Sequence, residues 1–431
     1  MASVVESSRG GVNFFSLLPE EVLVHLIGGI TGKAYLDGRA FIALRRCCKR
    51  FDTLYGQHSS AWFKSWTESY EWYFGNSDFW LSSECEKVYV KCVENKSLSV
   101  GYFGGSIRDR TGVSQVCSSF RIANRDDAVE GQASYRLSED RKVDLSIARS
   151  ALACAYDWKA EEIFVIGGWT GNREAVANVE IFDANSFDLK GDGAALKLPR
   201  CFLSAAFDSS LHHVFAFGGA DSLFQGADVY DSGEYFLNVD GGRKWRLVPA
   251  KMKTRRAGHA AAYDSRRNRM YQVGGYGGDT LYHDSMEWVD LTPQRLASVN
   301  DGFVQCESNM SVKRTGVGAG FGPDGCIYAV GGSPNGGVGH KSLERYDPRE
   351  GSWQLLAPMT YEKGYTSAAF GPDGKFWAAG GSTVEMLGGF VAETYSDHFE
   401  VYDPRNNTWE VLSEKLHMAI ADLALISWFQ G

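Results

Sequence analysis

The chain lacks most of the signatures that would assign it quickly. Its nine cysteines are an odd number without a Cys-x-x-Cys pair, so neither a disulfide framework nor a zinc site is expected. They read as buried thiols of a reducing compartment. No run is long and apolar enough to span a bilayer. The opening "MASVVESSRGG" has no basic stretch followed by an apolar one, so no signal peptide is expected. His-x-x-His or similar metal spacing is missing, and the Asp-Gly and Gly-Pro-Asp-Gly stretches are turns. No Walker or dinucleotide motif sits between a strand and a helix, since "GYGGD" lies between strands. A net charge of −9 argues against a general nucleic-acid binder. The expectation is a soluble protein of the cytoplasm or nucleus, with no cofactor, no metal, no membrane and no nucleic acid.

What is abundant is glycine, 49 residues, together with 13% aromatics in a chain of 431. Helix-rich chains seldom combine the two. Short apolar stretches ending in a glycine pair recur: "VGYFGG" (100–105), "IFVIGG" (163–168), "VFAFGG" (214–219), "MYQVGG" (270–275), "IYAVGG" (327–332) and "FWAAGG" (376–381). Their spacing is roughly 50–60 residues, close to a propeller-repeat period. Most follow a strand of small residues, such as "FLSAAFD" or "GHAAAYD", across a polar turn. Two units then continue "LERYDPREGSWQLL" (343–356) and "FEVYDPRNNTWEVL" (399–412), each a strand, an Asp-Pro turn and a second strand. Four antiparallel strands per unit result. Small residues suit the innermost strand of a propeller blade, where space is short.

These residues resemble the kelch repeat over roughly residues 97–431, best in the last two units. "IFDANSFDL" and "VYDSGEYFL" keep the Asp and lose the Pro and Trp. The resemblance implies a mainly β, six-bladed kelch β-propeller. "HMAIADLALISWF" (417–429) reads as a first strand with no glycine pair after it, and is expected to complete the first blade.

Residues 14–55 differ in kind. "SLLPEEVLVHLIGGI" has Leu17, Leu18, Val22, Leu23 and Leu26 near helical spacing, with Pro19, Glu20 and Glu21 in the first turn, where they suit a helix start. A second helical stretch aligns Phe41, Leu44, Cys48 and Phe51. The segment resembles an F-box through Leu18, Pro19, Glu21, Val22 and Leu23, then Cys47, Cys48, Lys49, Arg50 and Phe51. It departs in a longer middle, "GGITGKAYLDG", and in Phe51 where the family has Trp. A small α-helical F-box domain is thus expected before the propeller, with a helical, aromatic linker over 56–96. The resemblance implies binding of a Skp-type adaptor, and through it a cullin-based ligase, by Leu18, Pro19, Val22, Leu23, Leu26, Leu44, Cys48 and Phe51. An amphipathic cap on the propeller is the plainer alternative. "RRCCKR" (45–50) fits a nuclear signal or the solvated face of the second helix.

Antiparallel strands return, so the loop entering each first strand and the loop after each glycine pair share one rim. The entry loops carry Arg149, Arg200, Arg256, Arg314 and Lys363, a cation in five of six units. In kelch substrate adaptors, arginines at this position contact acidic degrons, and Arg149, Arg256 and Arg314 match best. The resemblance implies an anion-attracting rim for an acidic or phosphorylated segment of a target protein. Packing on aromatics, or pairing with acids such as Asp109 or Asp279, is the alternative. Trp169, Tyr276 and Phe390, after glycine pairs, suit a protein interface. Three classes stay open: a non-catalytic substrate receptor of an SCF-type ubiquitin ligase, a kelch interaction scaffold, and a propeller enzyme such as a sialidase-like hydrolase. For the last, "NVDGGRKW" (238–245) approximates an Asp-box turn, which is a hairpin lock rather than a site.

Overall fold

The computed structural model describes residues 97–429 apart from 107–115, 125–134, 171–173, 209–210, 223–225, 240–241, 279, 299–301, 372–373, 388–389 and 417–418. The expected adaptor-binding residues Leu18 to Phe51 and the segment 56–96 lie outside the described residues. The propeller unit, Ser99–Trp428, is mainly β.

Strands β1 (Ser97–Phe103), β2 (Val116–Asn124) and β3 (Tyr135–Asp144) begin the first sheet. The second holds β4 (Ala153–Asp157), β5 (Glu162–Ile166), β6 (Val179–Asp183) and β7 (Leu189–Gly193). The third holds β8 (Ser204–Asp208), β9 (His213–Phe217), β10 (Gly233–Val239) and β11 (Gly242–Val248). The fourth holds β12 (Ala260–Asp264), β13 (Arg269–Val273), β14 (Met286–Asp290) and, after the short helix α1 (Pro293–Leu296), β15 (Phe303–Gln305). The fifth holds β16 (Gly318–Phe321), β17 (Ile327–Val330), β18 (Leu343–Asp347) and β19 (Ser352–Leu356). The sixth begins with β20 (Ser367–Phe370) and β21 (Phe376–Ala379). An inserted hairpin, β22 (Ser382–Leu387) with β23 (Phe390–Tyr395), precedes its outer strands β24 (His398–Asp403) and β25 (Thr408–Lys415). Last, β26 (Ala424–Phe429) lies beside β1, giving the first sheet the order β26-β1-β2-β3.

The core lies between sheets. One cluster joins Phe164 and Ile181 of the second sheet to Val214, Phe236 and Trp245 of the third, with Phe164 and Phe236 5.2 Å apart. Another joins Phe103 and Ile426 of the first to Ile163 and Phe182 of the second. Further clusters join the third to the fourth, the fourth to the fifth and the fifth to the sixth. Second strands are therefore covered on both faces: β5, "EIFVI", is buried throughout. Fourth strands meet water, and Leu355 of β19 is 63% exposed. Truncating a buried aromatic between two sheets costs about 3–5 kcal/mol.

The glycine pairs have a steric cause. The first glycine of each of the six pairs has φ between 60° and 66°. A Cβ there would come within 2.4–2.6 Å of a carbonyl oxygen in the next sheet's entry loop, at Arg149, Arg200, Arg256, Arg314, Lys363 or Ile420. The second glycine's N–H donates to that same carbonyl, at 2.7–3.3 Å. These hydrogen bonds run from each sheet to the next, and from Gly381 of the sixth to Ile420 ahead of β26.

The repeated Tyr-Asp-Pro phrase is a hairpin. Tyr346 stands opposite Trp353, and Tyr402 opposite Trp409, with ring centroids 5.3 and 5.2 Å apart. Asp347 Oδ1 and Asp403 Oδ1 accept the backbone N–H two residues on, at 2.9 and 3.0 Å. "VYDSGEYFL" is corrected: its Val229–Asp231 precedes the strand β10. The Tyr/Trp places in the third sheet belong to Phe236 and Trp245, whose centroids are 5.5 Å apart.

Candidate functional site

The loop face is built from the loops entering the first strands and those following the glycine pairs. Backbone bridges Ser150↔Trp169, Cys201↔Ala220, Ala257↔Tyr276, Thr315↔Ser333 and Gly364↔Ser382 join the two sets. The expected cations sit in these loops, but their side chains turn inward: Arg149, Arg200, Arg256, Arg314 and Lys363 are all 0% exposed. Arg149 donates to the carbonyls of Gly167 (3.1 Å) and Asn178 (2.9 Å) and to Glu180 Oε1 (2.6 Å). Arg200, Arg256 and Arg314 repeat the pattern, donating to Gly218, Gly274 and Gly331 O at 2.6–2.7 Å and to Ser232, Ser285 and Ser342 O at 2.9–3.1 Å. Their carboxylates are Glu234 (3.2 Å), Glu287 (2.9 Å) and Glu344 (2.8 Å). Lys363 reaches His398 O at 3.1 Å and Glu400 at 3.3 Å.

The cationic rim expected from sequence is thereby corrected. These five groups have no surface to offer an acidic or phosphorylated segment. Among the described residues their carboxylate partners are third-strand glutamates; Asp109 and Asp279 lie outside the described residues. The reason lies in the backbone: strand ends bury carbonyls that need donors, and a guanidinium supplies several in one plane. Each glutamate also holds the entry loop, as Glu234 does by accepting from Lys197 and Leu198 N–H at 2.6 and 3.1 Å. Burial lowers the pKa of Arg200, Arg256, Arg314 and Lys363, and the paired glutamate opposes that shift. The signal for these partners was in the sequence, as the Glu of "NVEIF", "GEYF", "SMEW", "SLERY" and "HFEVY".

Trp169 and Tyr276 lie half-buried on this face. Tyr276 packs on Tyr282 with centroids 5.2 Å apart, and Leu281 and Val338 nearby in these loops are 53% and 45% exposed. Phe390 opens β23 of the inserted hairpin.

Two residues beyond each entry position lies a belt that sequence reasoning missed: Ala151, Phe202, Gly258, Gly316, Tyr365 and Asp422, with φ between 50° and 62°. Backbone hydrogen bonds of 2.7–3.2 Å link Phe202 to Ala151, Gly258 to Phe202, Gly316 to Gly258, Asp422 to Tyr365 and Ala151 to Asp422. The belt forms one end of a cavity of about 160 Å³, lined by first strands of all six sheets. Phe202 and Tyr365, from the third and sixth sheets, meet there with centroids 5.9 Å apart. Inside, Ser204 Oγ lies 3.0 Å from His259 Nε2 and donates to Gln272 Oε1 at 2.8 Å. Burial, then Arg256, pushes the His259 pKa down to about 3, so the ring is neutral. Its Nδ1 has no hydrogen-bond partner among the described residues. Among the described residues no group of three or more His, Cys, Asp or Glu could hold a metal ion.

Residues 322–360 and 368–416 match the Kelch motif. A solved structure, "Structure of YjhT", is similar with a TM-score of 0.51 and 14% identity, covering 64% of this chain and 87% of that one. That likeness concerns the fold. No curated protein matches the chain. The chain carries kelch motifs on a β-propeller, a fold used for protein interaction.

Proposed function

We propose that the chain is the substrate-recognition subunit of an SCF-type ubiquitin ligase, non-catalytic itself. In this reading Leu18, Pro19, Val22, Leu23, Leu26, Leu44, Cys48 and Phe51 form an F-box that takes a Skp-type adaptor. The propeller, closed as six blades with β26 completing the first, holds the target protein. The observation that carries the binding role is the loop face, which carries half-buried aromatics, exposed Leu281 and Val338, and a cavity lined at one end by Phe202 and Tyr365. Such a mixture suits a partner's anchor residues. The five buried cations leave no reason to prefer an acidic or phosphorylated target.

The adaptor is tested in the full chain carrying Leu18→Ala and Pro19→Ala. Each lost interface contact costs roughly 1–3 kcal/mol, so capture of the Skp-type adaptor should disappear while the propeller melts as before. Undiminished capture, or a destabilised propeller, supports an interaction scaffold with a helical cap.

A further inference from the structure

The mouth of the cavity is unequal around its circumference. Of the six belt residues only Asp422 carries a charge. Its Oδ2 faces the Ser106 hydroxyl at 3.5 Å, a long contact, and that hydroxyl lies closer to Ser150 Oγ, at 2.9 Å. Glu393, on the inserted hairpin, and Asp221, beside Cys201, add negative charge around Asp422 and Cys201. Among the described residues no ion pair engages Asp422, Glu393 or Asp221. The aromatic face beside them is Phe202 against Tyr365, and Tyr365 has Asp422, Glu393, Tyr276 and Tyr282 within electrostatic reach. The five cations at the entry positions, in contrast, are committed below it to glutamates.

A half-buried carboxylate without a counter-cation, as Asp422 is here, is unfavourable until one arrives. An aromatic face adjoining it favours the same sign of ligand, because ring faces are electron-rich. We propose that the cavity mouth is the seat of one basic side chain, lysine or arginine, on a segment of a partner protein, with Asp422 and Glu393 as counter-charges and Phe202 and Tyr365 as the apolar wall. The assignment rests on the protein-binding reading of the propeller and deepens it. Burial and Glu393 push the Asp422 pKa up to about 7, as a carboxylate lacking a cation should behave.

The test uses the full chain and four blocked pentapeptides, Gly-Gly-X-Gly-Gly with X as Arg, Lys, Gln or Glu, followed by saturation-transfer NMR near pH 8. Arg and Lys peptides should bind, with transfer concentrated on the basic side chain, and Gln and Glu peptides should not. Asp422→Asn should weaken the Arg peptide about tenfold, as expected for one charge-assisted contact. Asn tolerates positive φ, so the belt is kept; Glu393→Gln, on an exposed residue of the hairpin, should weaken it in the same direction. Equal binding of the Gln peptide, no binding of any peptide, or binding indifferent to both substitutions overturns the proposal. Methylguanidine binding as tightly as the Arg peptide overturns the assignment to a protein segment. None of these readouts involves the adaptor, so failure here is separable from failure of the ligase reading.

Discussion

At the scale of single residues, the buried ion pairs decide most. Arg256 and Glu287 are both 0% exposed and 2.9 Å apart. Removing one partner strands a charge away from water and costs about 3–5 kcal/mol, whereas replacing both by apolar residues is often neutral. The sixth equivalent entry position is Ile420, and the second position of β2, where β6, β10, β14 and β18 have Glu, is Cys117. The chain thus dispenses with cation and carboxylate together. Arg256→Ala should lower the urea midpoint strongly, and Arg256→Leu with Glu287→Leu should restore much of the loss. A single substitution without effect would show that the pair contributes nothing to the fold. Asp422 behaves in the opposite sense. Its folded pKa is raised to about 7, against about 3.9 unfolded. Between those values the native state binds more protons, so this group's contribution to stability is full below about pH 4 and falls as pH rises towards 7. Asp422→Asn abolishes that fall. The variant should gain stability over the parent between about pH 5 and pH 8; melting curves that stay parallel across the range would refute the account.

Strands and hairpins were legible in proportion to how local their causes are. Each glycine pair was readable because positive φ and a carbonyl at 2.4–2.6 Å exclude a side chain. The Tyr-Asp-Pro…Trp hairpins were readable because turn and cross-strand pair lie within one short stretch. "VYD" at 229–231 misled because a turn-like tripeptide before β10 imitates the phrase, while Phe236 and Trp245 do its work. The hairpin β22–β23 went unread, although Leu387 pairs with Phe390 across two residues and "GG" at 388–389 signals such a connection. The entry arginines were placed on the right loop with the wrong direction. Sequence spacing fixes where a backbone position falls, but not whether a long side chain follows water outward or carbonyls inward. Phe202, Tyr365 and Asp422 share no residue type, so only their common distance from the entry position marks them as equivalent.

At the scale of the whole propeller unit, the strand that bears most on the proposed closure is the last one. The strand β26 takes the innermost place in the first sheet although three hundred residues of chain, roughly, separate it from β1. It is gripped on both sides. Leu425 N–H donates to Ser367 Oγ at 2.9 Å and Ser427 Oγ to Phe370 O at 2.7 Å, both in the sixth sheet. Ala424 and Ile426 pack with Leu152, Ile163 and Val165 towards the second. Losing it would open the apolar flank of two neighbours at once and leave β1 an unpaired edge. Because five of the described core clusters are each shared by two consecutive sheets, damage at one seam propagates rather than staying local. Deletion of residues 417–431 should therefore replace one cooperative melt with a broad, lower transition and raise binding of an apolar dye. Ile426→Ala, a milder lesion at the same seam, should cost about 2–5 kcal/mol and keep the single transition. If the truncated chain melts as sharply and as high as the parent, β26 is an accessory to the propeller and the proposed closure fails.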